Sequence, residues 1–155
     1  MERKLFTLVV VFDDTRILLG LKKRGFGEGR WNGFGGKVED GESIDEAAYR
    51  ELTEESGLSA KKLTKRGELV FEFREDKKPL EVHVFSADQW GDEPRESDEM
   101  KPQWFDLKTI PFSMMWPDDF YWMPLLLQGK NFRGSFFFED QNIISTYKLD
   151  EVNGW

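Results

Sequence analysis

Residues 35–58 read GGKVEDGESIDEAAYRELTEESGL, and the architecture follows from how this stretch ends and what it carries. Ser43, with Glu46 three residues on, makes a capping box: the serine side chain accepts from the Glu46 amide, and the glutamate reaches back. Gly57 stands where a left-handed C-terminal residue belongs, with Leu58 as its apolar partner. The spacing therefore predicts a helix over Ile44–Ser56. At about 100° per residue, Ala48 and Leu52 share a face with Ile44, yet Glu51 and Glu55 fall within about 20° of the same line and Glu54 about 80° to one side. The face begins apolar and ends acidic, and its last carboxylates oppose the helix dipole. Each choice costs tenths of a kcal/mol to about 1 kcal/mol, on a chain whose formal net charge is already −8. One reading is a solvated face with Arg50 as local ion-pair partner. The other is a hard-cation site, because carboxylates at i and i+3 or i+4 reach one Mg²⁺ or Mn²⁺. On that reading Gly35 and Gly36 let a backbone carbonyl approach the same ion.

The remainder of the chain bounds the partners. A length of 155 residues predicts one domain, 1–155, with a core of its own. Fourteen Phe and six Trp give rings enough for that core and for a flat apolar ligand. The acidic balance argues against a nucleic-acid polymer, though not against one phosphorylated small molecule whose charge a metal or a local basic cluster neutralises. The absence of cysteine excludes disulfides and thiolate chemistry. The opening MERKLFTLVVVFDD reads as a first strand and not as a signal peptide. No run approaches the roughly eighteen apolar residues of a membrane helix, so cytoplasm is the default location and no membrane partner is expected. Without long heptads or a large unexplained apolar patch, a monomer is expected.

Strand-like runs FTLVVVF and RILLGLK flank the turn signal DDT, and GELVFEF and LEVHVFSA flank the polar turn REDKK. WGDEPRESDEMKP reads as an acidic loop and QWFDL as a short strand. MMWPDDFYWMPLLLQG reads as a loop running into a second helix with Pro124 awkwardly inside, and NFRGSFFFE with IISTYKLDEV as a last hairpin. Adjacent paired strands mixed with two helices favour an α/β sandwich around a mixed sheet over a doubly wound parallel sheet.

Gly36, five residues, Glu42, seven residues, then RELTEESGL (50–58) resembles the Nudix box at every defining position. The resemblance implies the Nudix fold, an α/β/α sandwich with a central mixed β-sheet, and hydrolysis of a nucleoside diphosphate linked to another group. It implies Mg²⁺, with Mn²⁺ as a substitute. Carried onto this sequence, Glu51, Glu54 and Glu55 match metal-ligand positions, one of which also orients or deprotonates water. Arg50 matches the arginine that steadies them, and Glu42 a supporting glutamate.

Three further segments, GLKKRGFGEGRWNGFGGK, SDEMKPQWF and MWPDDFYWMPLLL, resemble the branch of the family that acts on oxidised purine nucleoside triphosphates such as 8-oxo-dGTP and 2-oxo-dATP, with O6-methylated purines as a further class. The resemblance implies removal of mutagenic nucleotides before polymerases insert them, in the cytoplasm by default, with mitochondria and nuclei as locations the sequence leaves open. The resemblance implies that Asn32 meets one purine edge and Asp118 and Asp119 the other, with Trp116 and Phe71 against the ring. Phe26, Trp122 and Phe138 would line the pocket, and Leu80 would stand where methionine is frequent. Thr7 and Lys22 match nucleotide contacts; Phe34, Gly35, Gly36, Lys37 and Pro117 match segments beside the ligand. The Gly35 carbonyl and Glu99 match further metal ligands. Read from spacing alone, Phe71 suits core packing as well, and WPDD suits a plain helix start. The only histidine, His83, is read as structural or exposed. Two other functions remain: a Nudix hydrolase of ADP-ribose or dinucleotide polyphosphates, and a silent nucleotide-binding module. Phe73 and Glu75 stand where the former groups carry proline and tyrosine, and a silent module would have lost Arg50 or helix glutamates.

Overall fold

In a computed structural model, which describes residues 2–75 and 78–155, β1 (Lys4–Phe12) and β2 (Arg16–Lys22) are the first antiparallel pair. The Asp13 carboxylate closes their turn by accepting from the amides of Thr15 and Arg16 at 3.1 and 3.0 Å. The two strands then diverge: only Val11↔Leu18 and Phe12↔Ile17 are in register, and the rest of β1 runs parallel to β5 (Leu80–Gly91). Into the opening comes the chain after β3 (Trp31–Asn32), bridging β1 at Val9↔Phe34 and Phe6↔Lys37. Gly35 sits where this segment crosses β1, and a Cβ there would fall 1.8 Å from the Thr7 carbonyl oxygen.

β4 (Ser59–Phe73) pairs antiparallel with β5 and parallel with β7 (Asn131–Asp140), and β8 (Ile143–Val152) closes that edge. β6 (Met100–Asp106) pairs with β2, so the sheet runs β3-β2-β1-β5-β4-β7-β8 with β6 as a branch. Helix α1 (Ile44–Ser56) covers one face over Val9, Val11, Leu18 and Phe85; α2 (Asp119–Leu127) covers the other over Val10, Leu69, Val84 and Phe136. Successive β1 side chains thus feed opposite cores, as strand geometry requires, and the result is the expected α/β/α sandwich.

Helix α1 starts and stops where its caps predict. Ser43 Oγ accepts from Glu46 N at 3.0 Å, Glu46 accepts from Ser43 N at 2.9 Å, and Gly57 has φ 79°. Three expectations shift. β4 begins at Ser59 and not at Gly67; its first half, SAKKLTKR, is polar and bulged, which hides a strand from a hydrophobic pattern. Trp90 and Gly91 extend β5, and Met100 begins β6, at the ends of the acidic loop. Pro124 lies within α2; the carbonyl it leaves unpaired is that of Phe120, which is exposed at the surface. Of the expected REDKK turn, Asp76 and Lys77 lie outside the described residues. Among the described residues no helix is long and apolar enough to cross a membrane. His83 is buried, its Nε2 2.7 Å from Glu81 Oε2.

Candidate active site

The divergence of β1 from β2 opens a cavity of about 460 Å³ on the α2 side. Its walls are the rings of Phe26, Phe71, Phe73, Trp116 and Phe138, and its floor carries Thr7, Asn32, Asp118 and Asp119. A second, polar cleft adjoins it on the α1 side, where five carboxylates (Glu51, Glu54, Glu55, Asp98 and Glu99) face two basic side chains, Lys22 and Arg24. Lys22, Gly35, Gly36 and Glu55 border both, so an aromatic chamber opens directly onto an acidic one.

The acidic side is organised by Arg50. Its guanidinium donates to both Glu42 oxygens at 2.6 and 3.0 Å, to Glu51 at 2.7 Å, to Glu54 at 3.1 Å, and to the Lys37 carbonyl at 3.2 Å. The hydrogen bonds from Arg50 hold the Glu42 carboxyl down at about 2, and its partners hold the guanidinium above its usual value. Glu55 differs from its neighbours. It is buried, its Oε1 accepts from the Gly35 amide at 2.9 Å, and burial pushes its carboxyl up to about 7, with the charges of Glu51 and Glu99 adding to the rise. Burial also raises Glu51 against the pull of Arg50. Glu99 lies beyond, held by Arg24 at 2.9 Å and Lys22 at 3.5 Å and lowered chiefly by Arg24.

Helical spacing alone does not bring these carboxylates together. Among the described residues no three His, Cys, Asp or Glu side chains stand in ready metal-holding geometry. The reason is visible: Glu51 and Glu54 turn to Arg50, Glu99 turns to Lys22 and Arg24, and Glu55 is tied to Gly35. The donor set nonetheless fits a hard divalent ion. It is all oxygen and anionic in excess, and its most buried member, Glu55, has its ionised form disfavoured by burial, a cost that a divalent cation would offset. Gly36 completes the fit, because a Cβ there would lie 2.7 Å from Glu51 Cδ.

The aromatic side holds a buried acid pair. Asp118 Oδ2 accepts from Trp122 Nε1 at 2.7 Å. Burial pushes Asp118 up to about 6 despite that bond, and pushes Asp119 well above the carboxylate range, aided by the charge of Asp118. Asp119 Oδ2 has no hydrogen-bond partner within the protein. Two carboxyls this close in an apolar site share a proton more readily than they both ionise.

Four residues expected beside the ligand lie elsewhere. Phe34 is fully buried in the α1-side core because the bridge to Val9 turns its ring inward. Trp122 is fully buried behind Asp118. Lys37 meets Arg50 through its carbonyl, and Pro117 does not line the cavity. Thr7, Lys22, Phe26, Asn32, Gly35, Gly36, Phe71, Trp116, Asp118, Asp119 and Phe138 all do, as does Leu80. Phe73 and Met100 join them unannounced. Phe73 was legible as the next same-face residue after Phe71; Met100 carried no such signal.

A mixed sheet between two helices, with a capped helix bearing Arg50, Glu51, Glu54 and Glu55 against Gly35-Gly36, defines a class, and the family model of the NUDIX domain matches residues 2–126. The chain belongs to the Nudix family, whose members are typically dependent on divalent metal. It is 57% identical over 152 residues to the oxidized purine nucleoside triphosphate hydrolase of Mus musculus, covering 98% of this chain and 97% of that one. To the protein of the same description from Danio rerio it is 57% identical, covering 96% of each. A crystal structure of a MutT protein from Bacillus halodurans superposes with a TM-score of 0.84 at 28% identity, covering 95% of this chain and 97% of that one.

Proposed function

We propose that this protein hydrolyses oxidised purine nucleoside triphosphates, such as 8-oxo-dGTP and 2-oxo-dATP, to the monophosphate and pyrophosphate. O6-methylated purine triphosphates form a further substrate class. The observation that carries this reading is the pairing of two chambers: an aromatic cavity ending in a buried acid pair, opening through Glu55 and Lys22 onto an acidic cleft. The near-full-length identity with the Mus musculus and Danio rerio hydrolases points to the same substrates.

The purine enters the aromatic chamber between the Trp116 and Phe71 sides. Asn32 offers donor and acceptor groups to one edge. Asp118 and Asp119 meet the other edge, and the proton they share lets the pair present either donor–acceptor order, which suits both an 8-oxoguanine and a 2-oxoadenine edge. The triphosphate lies across Lys22 toward the acidic cleft. There the Gly35 carbonyl, Glu51, Glu54, Glu55 and Glu99 would hold Mg²⁺, or Mn²⁺ in its place. Bound there, such an ion would supply neutralisation of the phosphate charge and Lewis acidity toward water. Arg50 keeps Glu51 and Glu54 oriented, and one of the helix glutamates accepts the proton of the attacking water. The protein acts as a monomer in the cytoplasm, with mitochondria and nuclei as further sites, and clears such nucleotides before a polymerase can insert them.

The test compares kcat/KM for 8-oxo-dGTP, 2-oxo-dATP and dGTP in the wild type and in Asp119→Asn. The reading expects both oxidised substrates to be favoured over dGTP, and the substitution to change the two pH profiles. Unchanged activities and profiles in Asp119→Asn would refute the shared proton.

A further inference from the structure

Trp116 is the largest ring of the cavity wall, yet it stands on a loop, before α2 begins. Something must hold it. Phe26 stacks against the ring at 4.9 Å, but Phe26 is 59% exposed and sits between two glycines with positive φ, Gly25 and Gly27. Arg30, four residues further along, is anchored. Its carbonyl accepts from Lys22 N at 3.0 Å, and its amide donates to Gly27 O at 3.0 Å. Its guanidinium lies 4.4 Å from the centre of the Trp116 ring. One arm of the fork donates to the Met115 carbonyl at 2.8 Å; the other donates to the Gln141 carbonyl at 2.8 Å and to Asn142 Oδ1 at 2.7 Å. The turn between β7 and β8 is itself fixed, because Asn142 N donates to Asp140 Oδ1 at 2.7 Å. One side chain thus ties the loop after β2, the backbone next to Trp116 and the far hairpin together.

We propose that Arg30 is a positioning residue for the purine site: by clamping Met115 and the β7–β8 turn while lying over the Trp116 indole, it fixes the ring on which the base stacks. The inference rests on the proposed purine reading of the cavity. Arginine suits the task and lysine does not. A planar guanidinium donates in its plane while its face covers an aromatic ring, and an ammonium cannot do both. A fixed ring costs the incoming base less ordering entropy, so the benefit belongs to binding and leaves the chemical step alone.

The test uses Arg30→Met, Arg30→Lys and Asn142→Ala in the full chain labelled with 5-fluorotryptophan, the Trp116 resonance being assigned through Trp116→Phe. We expect the Trp116 resonance to shift or broaden in Arg30→Met and Arg30→Lys while those of Trp90, Trp104 and Trp155 stay in place. KM for 8-oxo-dGTP should rise about tenfold in both, with kcat within about threefold of wild type. Asn142→Ala removes one anchor outside the cavity, and its KM should rise about two- to threefold. An unmoved Trp116 resonance, full rescue by lysine, or a fall in kcat at unchanged KM would overturn the proposal. If the wild type fails to hydrolyse 8-oxo-dGTP, the purine reading falls, and the Trp116 resonance still decides whether Arg30 holds that ring.

Discussion

Glu55→Gln should make the metal-free protein more stable at pH 8, although it removes a group on which activity depends. Glu55 is 6% exposed, and burial raises its carboxyl from 4.5 to about 7. A folded value above the unfolded one means that the folded chain binds the extra proton between those two values. The stability this contributes is complete below pH 4.5 and lost as pH rises through about 7. At pH 8 the carboxylate is ionised in both states, and the folded chain bears the whole cost. A carboxyl raised from 4.5 to about 7 makes that cost about 3 kcal/mol. Glutamine keeps an oxygen to accept from the Gly35 amide, which now donates at 2.9 Å, and carries no charge. In EDTA at pH 8 the variant should melt on the order of 10 °C above wild type, the gap closing toward pH 5. The measurement is thermal unfolding of both proteins from pH 5 to 8.5; Asp118 and Asp119 titrate in both, so the difference isolates Glu55. Adding Mg²⁺ should raise the wild-type melting point, more at pH 8 than at pH 6, and the variant little. A variant less stable than wild type at pH 8, or a gap that does not change with pH, would refute the reasoning.

Trp122→Phe removes the donor 2.7 Å from Asp118 Oδ2 in a fully buried setting. It should cost about 2–3 kcal/mol in denaturant unfolding and move the pH dependence of kcat/KM for 8-oxo-dGTP upward, because Asp118 loses the bond that opposes its burial. Gly36→Ala places a methyl group 2.7 Å from Glu51 Cδ; Mg²⁺ titrations of activity should show weaker metal binding and kcat down about tenfold or more. Ser43→Ala removes the side-chain oxygen that accepts from Glu46 N at 3.0 Å and leaves the Ser43 amide to donate to Glu46. It should lower stability by about 1 kcal/mol and leave kcat unchanged in steady-state assays.

Helix α1 was readable to the residue because its limits are set by local chemistry: Ser43 and Glu46 at one end, Gly57 at the other. The final hairpin was readable because two strand-like runs, NFRGSFFFE and IISTYKLDEV, stand on each side of a short polar turn. The first half of β4 was not, since Ser59–Arg66 pairs through its backbone while its side chains are largely polar. The acid pair and the glutamates were nameable from the resemblance, but not their states. That Glu55 is buried while Glu54 is exposed depends on the crossing of Gly35 over β1, a contact between segments twenty residues apart. Phe34 shows the limit from the other side: it lies between cavity residues in sequence, and the alternation of an extended chain turns it into the opposite core. Arg30 carried no signal, because its partners at Met115, Gln141 and Asn142 come together only in the fold.

The most direct measurement is hydrolysis of 8-oxo-dGTP and of ADP-ribose with Mg²⁺ by the wild type and by Glu55→Gln, with the products identified. The account predicts a strong preference for 8-oxo-dGTP, release of the monophosphate and pyrophosphate, and loss of turnover in the variant. Preference for ADP-ribose, or undiminished turnover by Glu55→Gln, would contradict it.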